Sequence, residues 1–219
     1  MYHNRVARRL GESNRLLGLG KCWGLLLRSA ELDTDGQVLA DRFAAAGAPE
    51  QTRRIVLALH RGYRQFLEQE AELYKQVCRL AEAEKVMHRV AELPGYGPIR
   101  LATLICYLDT PWRFKSKSAI WKYVGIGLKR EKSGNAPAII KVEQECNRLL
   151  RCMVIGAAQS AIEQKENVFA RRHAQWLRDG IAPKNARRNV ARDQVTAIWG
   201  MWKSDRAFDP GLIADPQAE

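Results

Sequence analysis

Ser133 is the residue whose type and neighbours are best suited to nucleophilic chemistry. It lies in the segment KREKSGN, residues 129–135, where glycine and asparagine are typical of a flexible turn. The cationic side chains near it in sequence can bind a phosphate and stabilise negative charge that develops on it. They are Lys129, Arg130 and Lys132, and Gly134 follows the serine directly. Ser133 is therefore a candidate nucleophile at a phosphate, with an ordinary Ser-Gly-Asn turn as the alternative.

The histidines and cysteines do not form a catalytic or metal-binding pattern. None of the four histidines is close to Ser133 in sequence, so a Ser-His-Asp triad is not predicted. Five cysteines are an odd number without a CxxC pair, which argues against a disulfide framework and against a zinc site. We expect these thiols to be buried and reduced. The residues are His3, His60, His88 and His173, and Cys22, Cys78, Cys106, Cys146 and Cys152.

Two glycines in LPGYGPI, residues 93–99, have the pattern of a helix-hairpin-helix turn. Gly95 and Gly97 allow the backbone to fold tightly, and a helix that starts at Pro98 would direct its unpaired N–H groups outward. Such a helix start binds a backbone phosphate without reading sequence. We expect DNA contacts from Gly95, Tyr96 and Gly97, and the alternative is a tight interhelical turn without a ligand.

Two further segments are strongly basic. Residues 113–141 contain eight lysines and arginines and a single acid, Glu131. In the helix predicted to begin at Pro183, four cationic residues fall on about one face, opposite Val190, Val195 and Ile198, which would pack inward. A solvated surface is the alternative for both segments. The DNA-contacting side chains predicted outside the serine loop are Arg113, Lys115, Lys117, Lys122, Arg148, Lys184, Arg187, Arg188 and Arg192.

The overall composition favours a polyanionic partner. The 219 residues include 36 Lys and Arg against 24 Asp and Glu, which gives a net charge of +12. With 46% hydrophobic residues the chain can form one large or two small domains. No apolar run approaches the roughly 18 residues of a membrane helix, and no secretory signal is recognisable. We therefore expect a soluble cytoplasmic protein with no membrane partner.

The elements that must position these residues are predicted to be helices. Residues 48–92 form one long predicted helix, whose apolar positions recur at steps of three and four, as in a coiled coil. The alternative is an amphipathic helix packed on its own domain. Apolar and capping patterns predict further helices over Ile99–Leu108, Lys115–Val124, Val142–Ile162 and Pro183–Trp202.

The predicted fold class is mainly α, since no segment shows convincing strand alternation. We divide the chain into a basic helical segment at 1–47, the coiled-coil-like helix at 48–92, a helical domain with the helix-hairpin-helix at 93–210, and a tail at 211–219.

Taken in order, these segments resemble the DEDD-type insertion-sequence transposases, the family of bridge-RNA-guided DNA recombinases. The similar stretch is about residues 88–210, and 48–92 resembles the family's coiled-coil arm. The resemblance implies that Ser133 is the nucleophile that becomes covalently joined to DNA during strand cleavage and rejoining. It also implies DNA, a guide RNA and further copies of the chain, as a dimer or tetramer, as partners. The segments that carry it are LPGYGPIRLATLICYLDTPWRFKSKSAIWKYVGIGL, KREKSG, NRLLRCMVIGAAQSA and ENVFARRHAQWLRDGIAPKNARRNVARDQVTAIWGMWKSDRAFDP.

The resemblance does not extend to the family's metal site. In that family four acids of a RuvC-like domain bind magnesium, and this sequence begins after the place where they would lie. Its early acids, Glu12, Asp33, Asp35 and Asp41, do not follow that domain's strand pattern. We therefore expect no cofactor on this chain, Mg²⁺ only with a RuvC-like partner domain, and a truncated or split transposase that is nearly inactive alone. The alternative is a non-enzymatic nucleic-acid-binding helix-hairpin-helix dimer. We expect either protein in the bacterial cytoplasm, associated with the nucleoid.

We expect the protein to bind duplex DNA with little sequence preference and with a strong dependence on salt, because the predicted contacts are backbone amides, lysine and arginine. If about six phosphates are neutralised, log affinity plotted against log salt concentration should have a slope of roughly −5. Fluorescence anisotropy with a labelled duplex measures this slope. An affinity that does not change between low and high salt would contradict the prediction.

Overall fold

The computed structural model describes residues 1–131, 139–142 and 145–213, and the fold of these residues is mainly α, as predicted. None of the described helices combines the length and the apolar content that a membrane span requires. The helices are α1 (Tyr2–Cys22), α2 (Gly36–Ala45), α3 (Glu50–Ala83), α4 (Lys85–Val90), α5 (Pro98–Leu108), α6 (Lys117–Tyr123), α7 (Arg148–Glu163), α8 (Val168–Arg178) and α9 (Pro183–Ser204). Short 3₁₀ turns lie at Ser29–Asp33, Pro111–Arg113 and Pro210–Leu212.

The chain divides into two compact units, Met1–Gln76 and Val77–Glu219. In the first unit α1 runs antiparallel to α3. The Tyr2 ring lies 6.4 Å from the Tyr74 ring, and Arg9 Nε donates to Glu70 Oε2 at 2.6 Å. This unit has a small core of its own, whose completely buried residues are Leu16, Leu32, Leu39, Ala40, Phe43 and Val56.

The long helix is shorter than predicted, and α1 covers part of its apolar seam. Helix α3 ends at Ala83, and Glu84 has an extended backbone (φ −99°, ψ 115°) before α4 begins. Tyr63 of the seam is buried in the first unit, whereas Ile55 is 51% and Leu80 is 66% exposed. Because α1 covers some of the apolar side chains of α3, only the exposed ones are available to a second copy of the chain. A coiled coil formed by this helix stays a prediction.

A short antiparallel hairpin interrupts the helices of the second unit, although no segment of the sequence shows convincing strand alternation. Strand β1 (Leu128–Glu131) pairs with β2 (Ile139–Val142), with Leu128 opposite Val142 and Glu131 opposite Ile139. The β-branched residues of the IIKV segment favour an extended backbone. Helix α7 accordingly starts at Arg148 rather than at Val142, and the Asn147 side chain caps it by accepting hydrogen bonds from the N–H groups of Leu149 and Leu150.

The core of the second unit lies where α5, α7, α8 and α9 meet. Val190, Val195 and Ile198 are completely buried, which confirms the predicted inward face of α9. Small residues on α7 let its neighbours approach closely. The other buried core residues on these helices include Leu101, Leu104, Leu108, Leu150, Val154, Ala157, Ala158, Ala161, Val168 and Phe169.

The cysteines are free thiols, as expected, but the expectation that they are buried is wrong. Cys22, Cys106 and Cys152 are exposed, and Cys78 and Cys146 are partly exposed. The reason is helical geometry, since two residues along a helix correspond to about 200° of rotation. Cys106 lies two residues after the buried Leu104, and Cys152 lies two residues after the buried Leu150, so both thiols face away from the core.

The glycine turn between α4 and α5 packs directly on α7. Gly95 has φ +88°, and a Cβ at this position would lie 2.1 Å from the Ala157 carbonyl oxygen. Arg100 Nη1 donates to the Gly95 carbonyl at 2.8 Å and to Ser160 Oγ at 2.9 Å. From the other side, Gln194 Nε2 of α9 donates to the Pro94 carbonyl at 2.8 Å. The turn is therefore held by α5, α7 and α9 together.

Replacing Gly95 with alanine should lower the free energy of unfolding by about 3 kcal/mol or more, because the new Cβ overlaps a backbone carbonyl and the left-handed conformation is strained. Gly97→Ala is the matched control, since Gly97 has φ −78° and open space around a Cβ. Its expected cost, from a poorer helix cap, is below about 1 kcal/mol. Thermal unfolding of both variants tests the difference, and equal Tm values would refute the proposed packing constraint.

Candidate nucleic-acid interface

A cavity of about 470 Å³ opens where α7 and α9 meet the residues that precede β1. We call it the arginine cavity. No carboxylate occurs among the described residues that line it, whereas four of them are cationic. Its described lining consists of Gly125, Ile126, Arg151, Cys152, Ile155, Gly156, Gln159, Lys184, Arg187 and Arg188.

Helical spacing brings the cationic side chains of α9 to this cavity. Helix α9 begins with Pro183 at its first position, where the missing N–H is not needed. Lys184, Arg187 and Arg188 follow at steps of three and four within the first two turns, and so share one face. Arg192 lies one turn further along and hydrogen-bonds at the edge of the cavity. The structure therefore brings together the four residues predicted on this helix face.

The opposite wall comes from α7 and from the glycine-rich segment before β1. Arg151 Nε donates to the Gly125 carbonyl at 2.8 Å, and Arg192 Nε donates to the Ile126 carbonyl at 2.9 Å. Gly125 has φ +78°, and a Cβ there would lie 2.5 Å from Cys146 Sγ. The two arginines and the glycine thus fix the backbone that leads into the hairpin.

Amide side chains, rather than carboxylates, orient the arginines of α9. Arg187 Nη1 donates to Gln159 Oε1 at 3.0 Å, and Arg188 Nη1 donates to Asn185 Oδ1 at 3.1 Å. Arg192 Nη1 donates to Asn189 Oδ1 at 2.7 Å. Arg187 Nε is buried and has no hydrogen-bond partner among the described residues. These hydrogen bonds hold the guanidinium groups in place without pairing them directly with a carboxylate.

The arginines of the cavity repel one another. Burial lowers the pKa of Arg188, and the charges of Arg151 and Arg187 lower it further. Burial also lowers the pKa of Arg192, where Arg188 adds to the effect and Asp193 opposes it. Arginine nevertheless stays protonated at neutral pH because its ordinary pKa is above about 12. A bound anion would relieve this repulsion.

The other predicted DNA-contacting residues do not line the arginine cavity. Arg113, Lys115, Lys117, Lys122 and Arg148 are exposed in the same unit. The Arg113 guanidinium lies 4.7 Å from the Tyr123 ring centroid and donates to the Tyr107 carbonyl at 3.3 Å. Lys129 and Arg130 belong to β1. Lys132, Ser133 and Gly134 lie outside the described residues.

The glycine turn exposes main-chain groups at Gly97 but buries the Tyr96 side chain. Tyr96 is only 4% exposed, so a DNA contact by its ring or hydroxyl is ruled out in this conformation. Burial strongly raises the pKa of this phenol. Gly97 is exposed and caps α5, as the predicted backbone contact requires. The predicted contacts of Gly95, Tyr96 and Gly97 are therefore limited to main-chain groups.

A second cavity of about 780 Å³ lies along the C-terminal half of α9 and includes Lys117. Arg172 Nε lies 3.1 Å from Asp193 Oδ2, which makes an ion pair without the angle of a hydrogen bond. Burial raises the pKa of the Asp193 carboxyl, and the nearby Arg172 opposes that shift. Within the described ranges no group of three His, Cys, Asp or Glu side chains could hold a metal ion. These residues therefore do not provide the acid cluster that magnesium would need.

Arg151 and Gln159 of α7 also line the arginine cavity, although neither was predicted from the sequence. Arg151, Ile155 and Gln159 are spaced by four residues and so lie on one face of the helix. This spacing was available in the sequence. The spacing alone does not show that this face of α7 lines a cavity opposite the cations of α9 rather than packing in the core.

Arg188→Gln should raise Tm by about 1–2 °C in phosphate-free buffer, because it removes a partly buried charge that neighbouring arginines repel. The sign follows from the pKa, since a group whose pKa is lowered on folding costs stability at every pH below its folded pKa. Arg178→Gln is the control, because Arg178 is exposed near the end of α8 and hydrogen-bonds to Gln175. The rise should shrink with added salt, and a larger fall in Tm than in the control would mean that Arg188 stabilises the fold.

Part of the second unit is similar to known transposases. Residues 87–174 match the family described as Transposase IS116/IS110/IS902 family. A Sinorhizobium fredii protein named "Putative transposase y4pF/y4sB" is 25% identical over 176 residues, which are 78% of this chain and 46% of that protein. The chain thus spans less than half the length of this curated relative. Residues 87–174, which include α5, α6 and α7, are similar to the IS116/IS110/IS902 transposases.

Proposed function

We propose that this protein is a DNA transposase that acts in strand cleavage and rejoining, with Ser133 as its nucleophile. The observation that carries the proposal is that the segment similar to the transposase family, residues 87–174, forms one wall of the arginine cavity and includes the serine loop. One wall of the cationic cavity and a candidate nucleophile therefore belong to the same stretch of chain. The net charge of +12 supports a nucleic-acid substrate.

We infer that DNA is bound mainly through its backbone. Exposed lysines and arginines around α6 and at the start of α7 can neutralise phosphates, and the start of α5 can add main-chain N–H groups. Such contacts position DNA but do not select a sequence. Sequence selection would then come from a guide RNA, as the resemblance to the bridge-RNA-guided recombinases implies. A dimer or tetramer would bring two such surfaces to the two DNA segments that recombine.

The chemistry proposed for Ser133 is a transesterification. The hydroxyl loses its proton, Oγ forms a bond to phosphorus, and one bond from phosphorus to a deoxyribose oxygen breaks. The released sugar oxygen takes up a proton, and rejoining reverses these steps with another sugar hydroxyl. Lys129, Arg130 and Lys132 are near enough in sequence to stabilise charge on the phosphate, although an always-protonated arginine is a poor base.

The acids that bind magnesium in the resembling family have no counterpart cluster in the described part of this chain. We therefore assign no step to a metal held by these residues. In that family the serine of one protomer faces the carboxylates of another, so acids supplied by a second protein could complete the site. This arrangement gives the proposal its test.

The chain should be mixed with a full-length relative whose nucleophilic serine is changed to alanine, together with the DNA on which that relative acts. We expect covalent protein–DNA adducts on this chain, mapped by mass spectrometry to Ser133, and we expect none with Ser133→Ala. Ser118→Ala is the control, because Ser118 is also exposed and lies in the same unit. The control should form adducts like the wild type.

If neither the wild type nor the control forms adducts while all variants bind DNA, the nucleophile assignment is refuted. That result would favour a non-enzymatic nucleic-acid-binding protein. Adducts that persist in Ser133→Ala would place the nucleophile at another residue.

A further inference from the structure

We propose that the arginine cavity is a discrete binding site for one phosphodiester of DNA, held by Arg151, Arg187 and Arg188. The DNA origin of the phosphate rests on the function proposed above, whereas the phosphate site itself rests on the cavity. The proposal distinguishes an enclosed anion site from the exposed cationic surface around α6. It also includes Arg151 of α7, which the sequence analysis did not identify.

Two arginines of the cavity are paired differently from the arginines of the first unit. In the first unit, arginines pair with carboxylates, as in Arg9 with Glu70 at 2.6 Å and Arg42 with Glu31 at 2.7 Å. At the arginine cavity, Arg187 and Arg188 donate to the amide oxygens of Gln159 and Asn185. An amide oxygen can orient a guanidinium group but carries no net charge. The cavity therefore keeps a positive charge that an anion can neutralise.

The cavity also has a hydrogen-bond donor that no described residue uses. Arg187 Nε is buried and has no hydrogen-bond partner among the described residues. A buried charged donor without a partner is costly, and a phosphate oxygen is a strong acceptor for it. The guanidinium fork also suits the bidentate geometry of phosphate. An anion bound in the cavity would supply the acceptor that Arg187 Nε lacks among the described residues.

The carboxylates near the cavity lie behind these groups. Glu163 accepts from Gln159 Nε2 at 2.8 Å and so acts on Arg187 through the amide. Asp193 acts on Arg192, whose Nε is already used at the Ile126 carbonyl. Neither acid is among the described lining residues. These two acids therefore orient the surrounding groups, and the described lining of the cavity contains cations without a carboxylate.

The size of the cavity fits a phosphate with part of its sugar. Its volume of about 470 Å³ lies within the roughly 300–1,000 Å³ of ligand sites. Ile126, Ile155 and two glycines provide an apolar wall against which a deoxyribose can pack. Hydrogen bonds from Arg151 and Arg192 fix the wall formed by residues 125 and 126. The site is therefore largely preformed.

Cys152 provides a direct readout, because its exposed thiol lines the cavity. Inorganic phosphate and a short DNA duplex should each slow alkylation of Cys152 by iodoacetamide. The expected slowing is about tenfold at roughly ten times the dissociation constant, by mass action. Cys106 is an internal control, since it is exposed in the same unit and does not line the cavity. Peptide mass spectrometry follows both sites in one sample.

Arg188→Gln should weaken the phosphate protection of Cys152 by about tenfold or more, because a charge-assisted hydrogen bond is lost. Arg188→Lys keeps the charge but loses the fork, and should fall between the wild type and glutamine. Arg178→Gln should protect Cys152 as the wild type does. Thermal unfolding of each variant shows that it is folded, and phosphate should raise the Tm of the wild type more than that of Arg188→Gln.

The outcomes separate this inference from the proposed function. If phosphate and DNA protect neither cysteine, or protect Cys152 and Cys106 equally, the phosphate site is refuted even where DNA binds by anisotropy. If phosphate protects Cys152 but DNA does not, the site takes free phosphate and the DNA assignment is overturned. Protection confined to Cys152, given by both ligands and weakened in Arg188→Gln, supports the proposal whether or not Ser133 forms adducts.

Discussion

The close approach of the Gly95 backbone to Ala157 is the constraint on which the second unit depends. The absence of a side chain at position 95 lets the turn before α5 lie directly on α7, where a Cβ would come within 2.1 Å of a carbonyl oxygen. Arg100 and Gln194 then bind the turn carbonyls from α5 and α9. One backbone contact thereby fixes three helices relative to one another. Because α7 also forms a wall of the arginine cavity, this contact helps to fix the position of that wall.

The cationic residues of the cavity oppose the stability that packing gives to the same helices. Burial and mutual repulsion lower the pKa of Arg188, so the charged cluster costs folding free energy at neutral pH. The buried apolar faces of α7 and α9, which include Val154, Val190 and Ile198, offset this cost. Electrostatic strain of this kind is typical of binding sites, where the fold maintains groups that their ligand completes.

The sequence was sufficient for features that one element carries by itself. The basic face and the inward face of α9 follow from its helical period alone, and Pro183 marks its start. Features that need two elements were not accessible in the same way. The strands β1 and β2 are four residues each, too short for an alternation pattern to stand out, and each is stabilised by its partner. The coverage of α3 by α1 likewise depends on tertiary packing between distant segments.

Arg151 shows why the candidate site was only partly predictable. Its charge on α7 reads as an ordinary solvated residue until the Gly125 carbonyl and the α9 arginines are placed beside it. The hydrogen-bond partners of two α9 arginines are also informative. Asparagine at 185 and 189 lies three residues before Arg188 and Arg192, a helical spacing at which a carboxylate would have formed a common ion pair. The amide oxygen accepts the same kind of hydrogen bond as a carboxylate but carries no negative charge. It therefore orients the guanidinium group without neutralising it. A carboxylate at either position would neutralise part of the charge that the proposed phosphate site needs, whereas the amide orients the arginine without doing so.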